Sequence, residues 1–149
     1  MINDNLKLRG DVALVLKDKN GNIKETREIN NLVVTAGLTF ICSRMAAASA
    51  GVMSHMALGS STTAAAAGQT DLVSILGSRE ALDSTNASAN TITYVSSFEA
   101  GEGTGAVTEA GVFNAASSGT MLCRTVFAVV NKQADDTMSV TWTITLSAS

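Results

Sequence analysis

A chain of 149 residues with a formal net charge of −3 has the length of one domain, and can bury roughly 70% of its unfolded surface without cross-links. Charged residues make up 15% and aromatics 4%. No Lys/Arg cluster forms the basic patch of a general nucleic-acid binder, and the core must rest on Val, Leu, Ile and Met.

No run reaches the roughly 18 apolar residues of a membrane helix. Met1 to Arg9 is polar, and the apolar run Val12 to Leu16 is too short for a signal peptide and is followed by charges. The expectation is a protein made in a cytoplasm that stays soluble. A surface of small neutral residues suits packing against other chains, because charge is depleted at interface centres. Cys42 and Cys123 have no metal spacing and are expected as two buried, reduced thiols.

Taken in order, residues 1–9 are a candidate extended N-terminal arm. Leu8 to Ile29 predicts a β-hairpin, with alternation at Val12, Leu14 and Leu16 and a turn at Asp18-Lys19-Asn20-Gly21-Asn22. The same five residues lack the ligand series of a calcium loop. The charged return strand belongs at an edge. Leu32 to Val34 is a short buried run, and Thr35 is a plausible N-cap. Residues 36–48 predict the one helix, with Leu38, Ile41, Cys42 and Met45 on its apolar face. Met53 to Leu58 predicts a strand, and Ser60 to Thr70 a small-residue loop or arm. Leu72 to Leu82 is ambiguous: Leu72, Ile75, Leu76 and Arg79 suit a helical turn, yet Gly77 weakens it; Asp83 to Ala89 predicts polar loop.

The centre of the fold is expected between Asn90 and Leu146. Ile92, Tyr94 and Phe98 share one strand face. The run Met121 to Val130 is apolar on both faces, as for a strand covered on both sides or facing another subunit. Met138, Val140, Trp142, Ile144 and Leu146 alternate with Ser139, Thr141, Thr143 and Thr145 in strict period two. The pattern predicts a mainly β protein: residues 1–149 as a single antiparallel β-sandwich domain, jelly-roll-like or a partly closed barrel, with one α-helix. Its core should hold Trp142, Phe127, Phe113, Val140, Ile144 and the helix's apolar face.

Catalytic, cofactor and metal sites find no support. Gly101-Glu102-Gly103-Thr104-Gly105-Ala106 formally fits a dinucleotide fingerprint, but an extended segment follows it where a helix is needed, and Glu102 and Glu109 would repel phosphate. His55 is the single histidine, without a nucleophile elbow or further ligands. Asn86-Ala87-Ser88 matches a glycosylation acceptor but lacks a secretion signal. Glu109 and Arg124 lie inside apolar stretches, where buried charges are normally paired. Glu109 is therefore expected to pair with Arg124 or Arg79 in a structural ion pair that fixes sheet register; solvated, unpaired side chains are the alternative.

Several segments resemble small virion proteins of tailed bacteriophages. They are Asn31-Leu32-Val33-Val34-Thr35-Ala36-Gly37-Leu38; His55-Met56-Ala57-Leu58-Gly59-Ser60 with Thr62-Thr63; Leu72 to Arg79; Phe98 to Arg124 with Thr108-Glu109-Ala110-Gly111-Val112-Phe113-Asn114 and Leu122-Cys123-Arg124; and Val129 to Leu146. The series runs in order over about residues 28–147. It is also similar to the N-terminal parts of phage tail-fibre and tail-collar proteins, although a fibre would need a shaft and a receptor-binding tip after residue 149.

The resemblance implies a non-enzymatic virion structural protein, first a capsid decoration (cement) protein on the outer capsid surface, made in the host cytoplasm. The implied partners are the major capsid protein and the chain itself, as a homodimer or homotrimer, with no nucleic acid, membrane or cofactor. A tail, baseplate or fibre-attachment component, binding other tail proteins, is the alternative. A carbohydrate-binding β-sandwich at the host surface is the second, though Tyr94 and Trp142 are expected to be buried. Met1 to Arg9 and Ser60 to Thr70 are the candidate arms onto neighbours.

Overall fold

The computed structural model describes residues 5–46 and 50–148. Two open antiparallel sheets pack face to face and do not close into a barrel. The hairpin prediction is met by β1 (Leu6–Lys17) and β2 (Ile23–Asn30). Asp18 organises the turn between them: its Oδ1 accepts from the backbone N–H of Asn20 at 2.8 Å and of Asn22 at 2.9 Å. Gly21 supplies the left-handed residue, with φ 82°.

The chain then enters the second sheet through β3 (Leu32–Val33), helix α1 (Thr35–Met45), β4 (His55–Gly59) and β5 (Glu80–Ala81). It returns to the first sheet for β6 (Ser84–Ser88) and β7 (Thr91–Phe98). The hairpin β8 (Gly105–Phe113) and β9 (Met121–Lys132) lies in the second sheet, and β10 (Thr137–Ala148) closes the first. The first sheet has the order β2-β1-β10-β7-β6 and the second β3-β9-β8-β4-β5.

β10 is central, and its period-two pattern is realised directly. Met138, Val140, Trp142 and Ile144 point into the sandwich with Val12, Leu14, Leu16, Tyr94 and Phe98. They meet Met56, Leu58, Val107, Val112, Cys123, Phe127 and Val130 of the second sheet. Phe113 lies elsewhere, in a smaller cluster with Val34, Ala57, Leu72 and Met121.

Several expectations are corrected. Residues 6–9, placed in a candidate arm, begin β1 and pair with residues 145–148 of β10; residues 1–4 of that segment lie outside the described residues. Asp83 to Ala89, read as loop, holds the edge strand β6, because backbone pairing with β7 supplies what side-chain propensity does not. Leu72 to Leu82 forms no helix; Gly77 takes φ 73°, and the segment crosses β4 through a bridge between Ile75 and Gly59.

Helix α1 shows a different face from the one its periodicity suggested. Leu38 is 41% exposed, Met45 is 81% exposed, and Cys42 is also exposed. The buried position is Gly37, where a Cβ would overlap the Leu122 carbonyl oxygen. Glycine lets the helix sit on the β9 backbone, and this docking turns Phe40 and Ile41 inward. The N-cap is Val34, without a side-chain bond. Thr35 is the first helical residue, and its N–H donates to the Ala67 carbonyl at 2.8 Å.

Candidate functional site

The centre of the second sheet is dry on both faces. Every residue from Val107 to Phe113 and from Met121 to Thr125 is buried. The inner face meets the first sheet. The outer face is covered by the segment running from Ser60 to Leu76 and by α1. A covering loop brings backbone amides into a low-dielectric setting, and each needs a partner.

Glu109 and Arg124 supply those partners. Both are fully buried, on β8 and β9, and Arg124 Nη2 lies 2.7 Å from Glu109 Oε2. Arg124 Nε donates to the same oxygen at 2.9 Å. The carboxylate also accepts three backbone N–H groups of the cover: Ser74 at 2.7 Å, Val73 at 3.1 Å and Ser61 at 3.3 Å. Arg124 Nη1 donates to Gln69 Oε1 at 3.0 Å, and that oxygen also accepts the Ala66 N–H at 3.0 Å. One charged pair thus fastens both ends and the middle of the cover. Gly59, opposite Glu109 in the β4–β8 register, leaves the room; a Cβ there would overlap the carboxylate.

Arg79 does not reach Glu109. Its guanidinium lies 3.6 Å above the Phe113 ring. Nη2 contacts Asp71 Oδ1 at 3.3 Å, while Nη1 donates to the carbonyls of Ser118 at 2.7 Å and Ala115 at 3.0 Å. Arg79 therefore joins the cover to the β8–β9 loop, a second fastening separate from the first. The loop Ser60 to Thr70, expected as an arm, is held against its own sheet from beneath. Thr62, Thr63, Ala64, Ala66, Ala67 and Gly68 face outward and are uncharged.

A third polar cluster closes one end of the sandwich. Lys132 Nζ donates to the carbonyls of Asp136 at 2.7 Å and Glu99 at 2.9 Å. Burial pushes its ammonium below the usual lysine value. Lys24 Nζ donates to Asp136 Oδ2 at 2.7 Å, and this bond holds the Asp136 carboxyl below the usual range. These contacts tie the β9–β10 turn to β2 and to the end of β7.

The remaining candidates have local partners. His55 Nδ1 is 2.8 Å from Ser54 Oγ. Cys123 is buried, and burial pushes its thiol well up; Cys42, expected to be buried, is exposed because α1 docks through Gly37. Among the described residues no group of three or more His, Cys, Asp or Glu could hold a metal ion, and no helix is long and apolar enough to cross a membrane. The glycine-rich stretch is a turn: Gly101 and Gly103 take φ 85° and 59°, and β8 follows.

Sequence reasoning missed Gln69 and the three amides on Glu109. The signal available was Gly59 followed by a long uncharged loop, which marks close approach of backbone to a side chain. Searches against protein-family models, curated proteins and solved structures find no match to this chain.

Proposed function

We propose that the chain is a non-enzymatic structural component of a tailed-phage particle, a decoration (cement) protein that binds the outer face of the major capsid protein shell. The observation that carries this reading is where the phage-like segments fall. Asn31 to Leu38 spans β3 and the docking turn of α1. His55 to Ser60 is β4 with its exit, Thr108 to Asn114 ends β8, and Leu122 to Arg124 lies in β9. Together they contain Gly37, Gly59, Glu109 and Arg124, the residues that fasten the cover on the second sheet. The resemblance therefore rests on positions with a structural reason for their identity.

The mechanism is thermodynamic. A protein that binds only the assembled shell stabilises it by mass action. Repetition over a symmetric lattice multiplies weak contacts. The held, uncharged loop Thr62 to Gly68 gives a surface that loses little conformational freedom on docking. The test is copy number in purified particles, by quantitative mass spectrometry against the major capsid protein. A near-stoichiometric ratio is expected. A handful of copies would favour a tail or baseplate component, and absence from particles would overturn the reading.

A further inference from the structure

A sheet edge invites pairing with another chain unless it is short, charged or covered. The two sheets have four edges here: β2, β6, β3 and β5. β3 and β5 are two residues long. β2 carries Lys24, Glu25, Arg27 and Glu28. β6 has none of these guards. It is five residues long, Ser84-Thr85-Asn86-Ala87-Ser88, all exposed, and pairs with β7 without a bulge.

The charge pattern of the first sheet is equally lopsided. Its β1–β2 side carries the charges, including Lys7, Arg9, Asp11 and Lys17. From Ser84 to Phe98, and throughout β10, the sequence has no charged residue. Asn86, Thr93 and Thr143 follow one another across the strands in register, giving a neutral hydroxyl and amide row that ends at the open edge.

We propose that β6 pairs antiparallel with β6 of a second copy of this chain, about a twofold axis at Asn86, to form one continuous sheet across the dimer. Several features favour a copy as the occupant. Read against itself, the strand sets Ser84 opposite Ser88, Thr85 opposite Ala87, and Asn86 opposite its own counterpart, with no like charges facing. Two chains of net charge −3 meet along strands that carry none of their charge, with Asp83 just outside β6 and opposite the uncharged Ala89 of the second copy. The pairing is isologous, so one contact closes the assembly and removes both open edges.

This inference goes beyond the virion reading and stands without it: a chain that self-pairs through β6 yet is absent from particles keeps this proposal and loses that one. The test is sedimentation velocity on the full chain, wild type, Asn86→Lys and Asn86→Glu, with an unchanged far-UV circular dichroism spectrum as the folding control. Wild type is expected to be a dimer at micromolar concentration. Each variant alone should weaken it about fivefold or more, because like charges would face across the axis. The equimolar mixture of the two should restore it.

In a Cys42→Ser background, Asn86→Cys should cross-link to itself on mild oxidation. Ser84→Cys should cross-link only when mixed with Ser88→Cys. A monomer throughout, a trimer, a dimer insensitive to both charge variants, or self-cross-linking of Ser84→Cys would each overturn the proposal.

Discussion

The two sheets each hold five antiparallel strands, yet they solve different problems. The first sheet has one dry face and one wet face. Its wet face holds Asp11, Thr93, Thr141 and Thr143, which solvent and cross-strand neighbours satisfy. The second sheet is dry on both faces at its centre, from Val107 to Phe113 and from Met121 to Thr125, and must hold a cover in place. Apolar contact through Leu72, Phe113, Met121 and Val34 does part of this. A loop of small residues has little apolar surface to offer, so the rest falls to a buried carboxylate that gathers its amides. A buried charge is tolerated where the chain has backbone donors to satisfy and few side chains to pack.

Breaking that carboxylate should give the largest effect. Glu109→Leu leaves Arg124 buried with Gln69 as its remaining polar contact, and frees three amides. The expected loss is about 3–5 kcal/mol in chemical denaturation. Amide exchange should accelerate at Ser61, Val73 and Ser74. Arg124→Met should cost less, since Glu109 keeps its three backbone donors; a larger loss for Arg124→Met would show that the guanidinium, not the carboxylate, holds the cover. Gly37→Ala comes next. The new Cβ meets the Leu122 carbonyl, so α1 must lift, at about 1–3 kcal/mol, with proteolysis first appearing near the helix.

The same contrast explains what could be read before the fold was known. β1, β7 and β10 were legible because a half-buried strand writes its environment as alternation. The both-sided burial of β9 was legible over Met121 to Thr125, though Ala128 and Val129 further along are exposed; what covered the strand was not, since period two is silent about a cover made of Ala, Ser and Thr. Glu109 and Arg124 stood out as charges in apolar runs, whereas Gln69 looked like any loop residue. Of the two partners offered for Glu109, spacing could not choose Arg124 over Arg79, because the contacts of Arg79, Phe113 and the carbonyls of Ala115 and Ser118, are brought near by a chain crossing that residue spacing does not encode. The helix itself was legible, but its buried face was not, for a local reason. Four apolar residues at helical spacing outweighed one glycine on paper, but close backbone approach at Gly37 decided the face.

The dry side of the first sheet can be probed by pH. Tyr94 is the single tyrosine, and burial pushes its phenol to about 12, with Cys123 adding to the shift. The unfolded value is about 10. A folded value above the unfolded one means that this contribution to stability is complete below pH 10 and is lost as pH rises through about 12. Tyrosinate absorbance should therefore appear near pH 12 in the folded protein, and near pH 10 once denaturant unfolds it. Titration near pH 10 in the folded state would place Tyr94 in water.

The smallest effect is expected on the wet face, and its smallness is the point. Thr143 lies beside Thr93, their hydroxyl oxygens 3.3 Å apart, and its neighbour across β1 is Asp11. Solvent can replace every polar contact it makes, and valine keeps its β-branched shape for the strand. Thr143→Val should change stability by no more than about 0.5 kcal/mol, as read by the denaturation midpoint. A loss of 2 kcal/mol or more, on the scale of the buried-polar penalty of about 1–3 kcal/mol, would mean that this face is covered in the folded protein as the second sheet's outer face is. If that loss also shrank on dilution, the covering surface would belong to another chain.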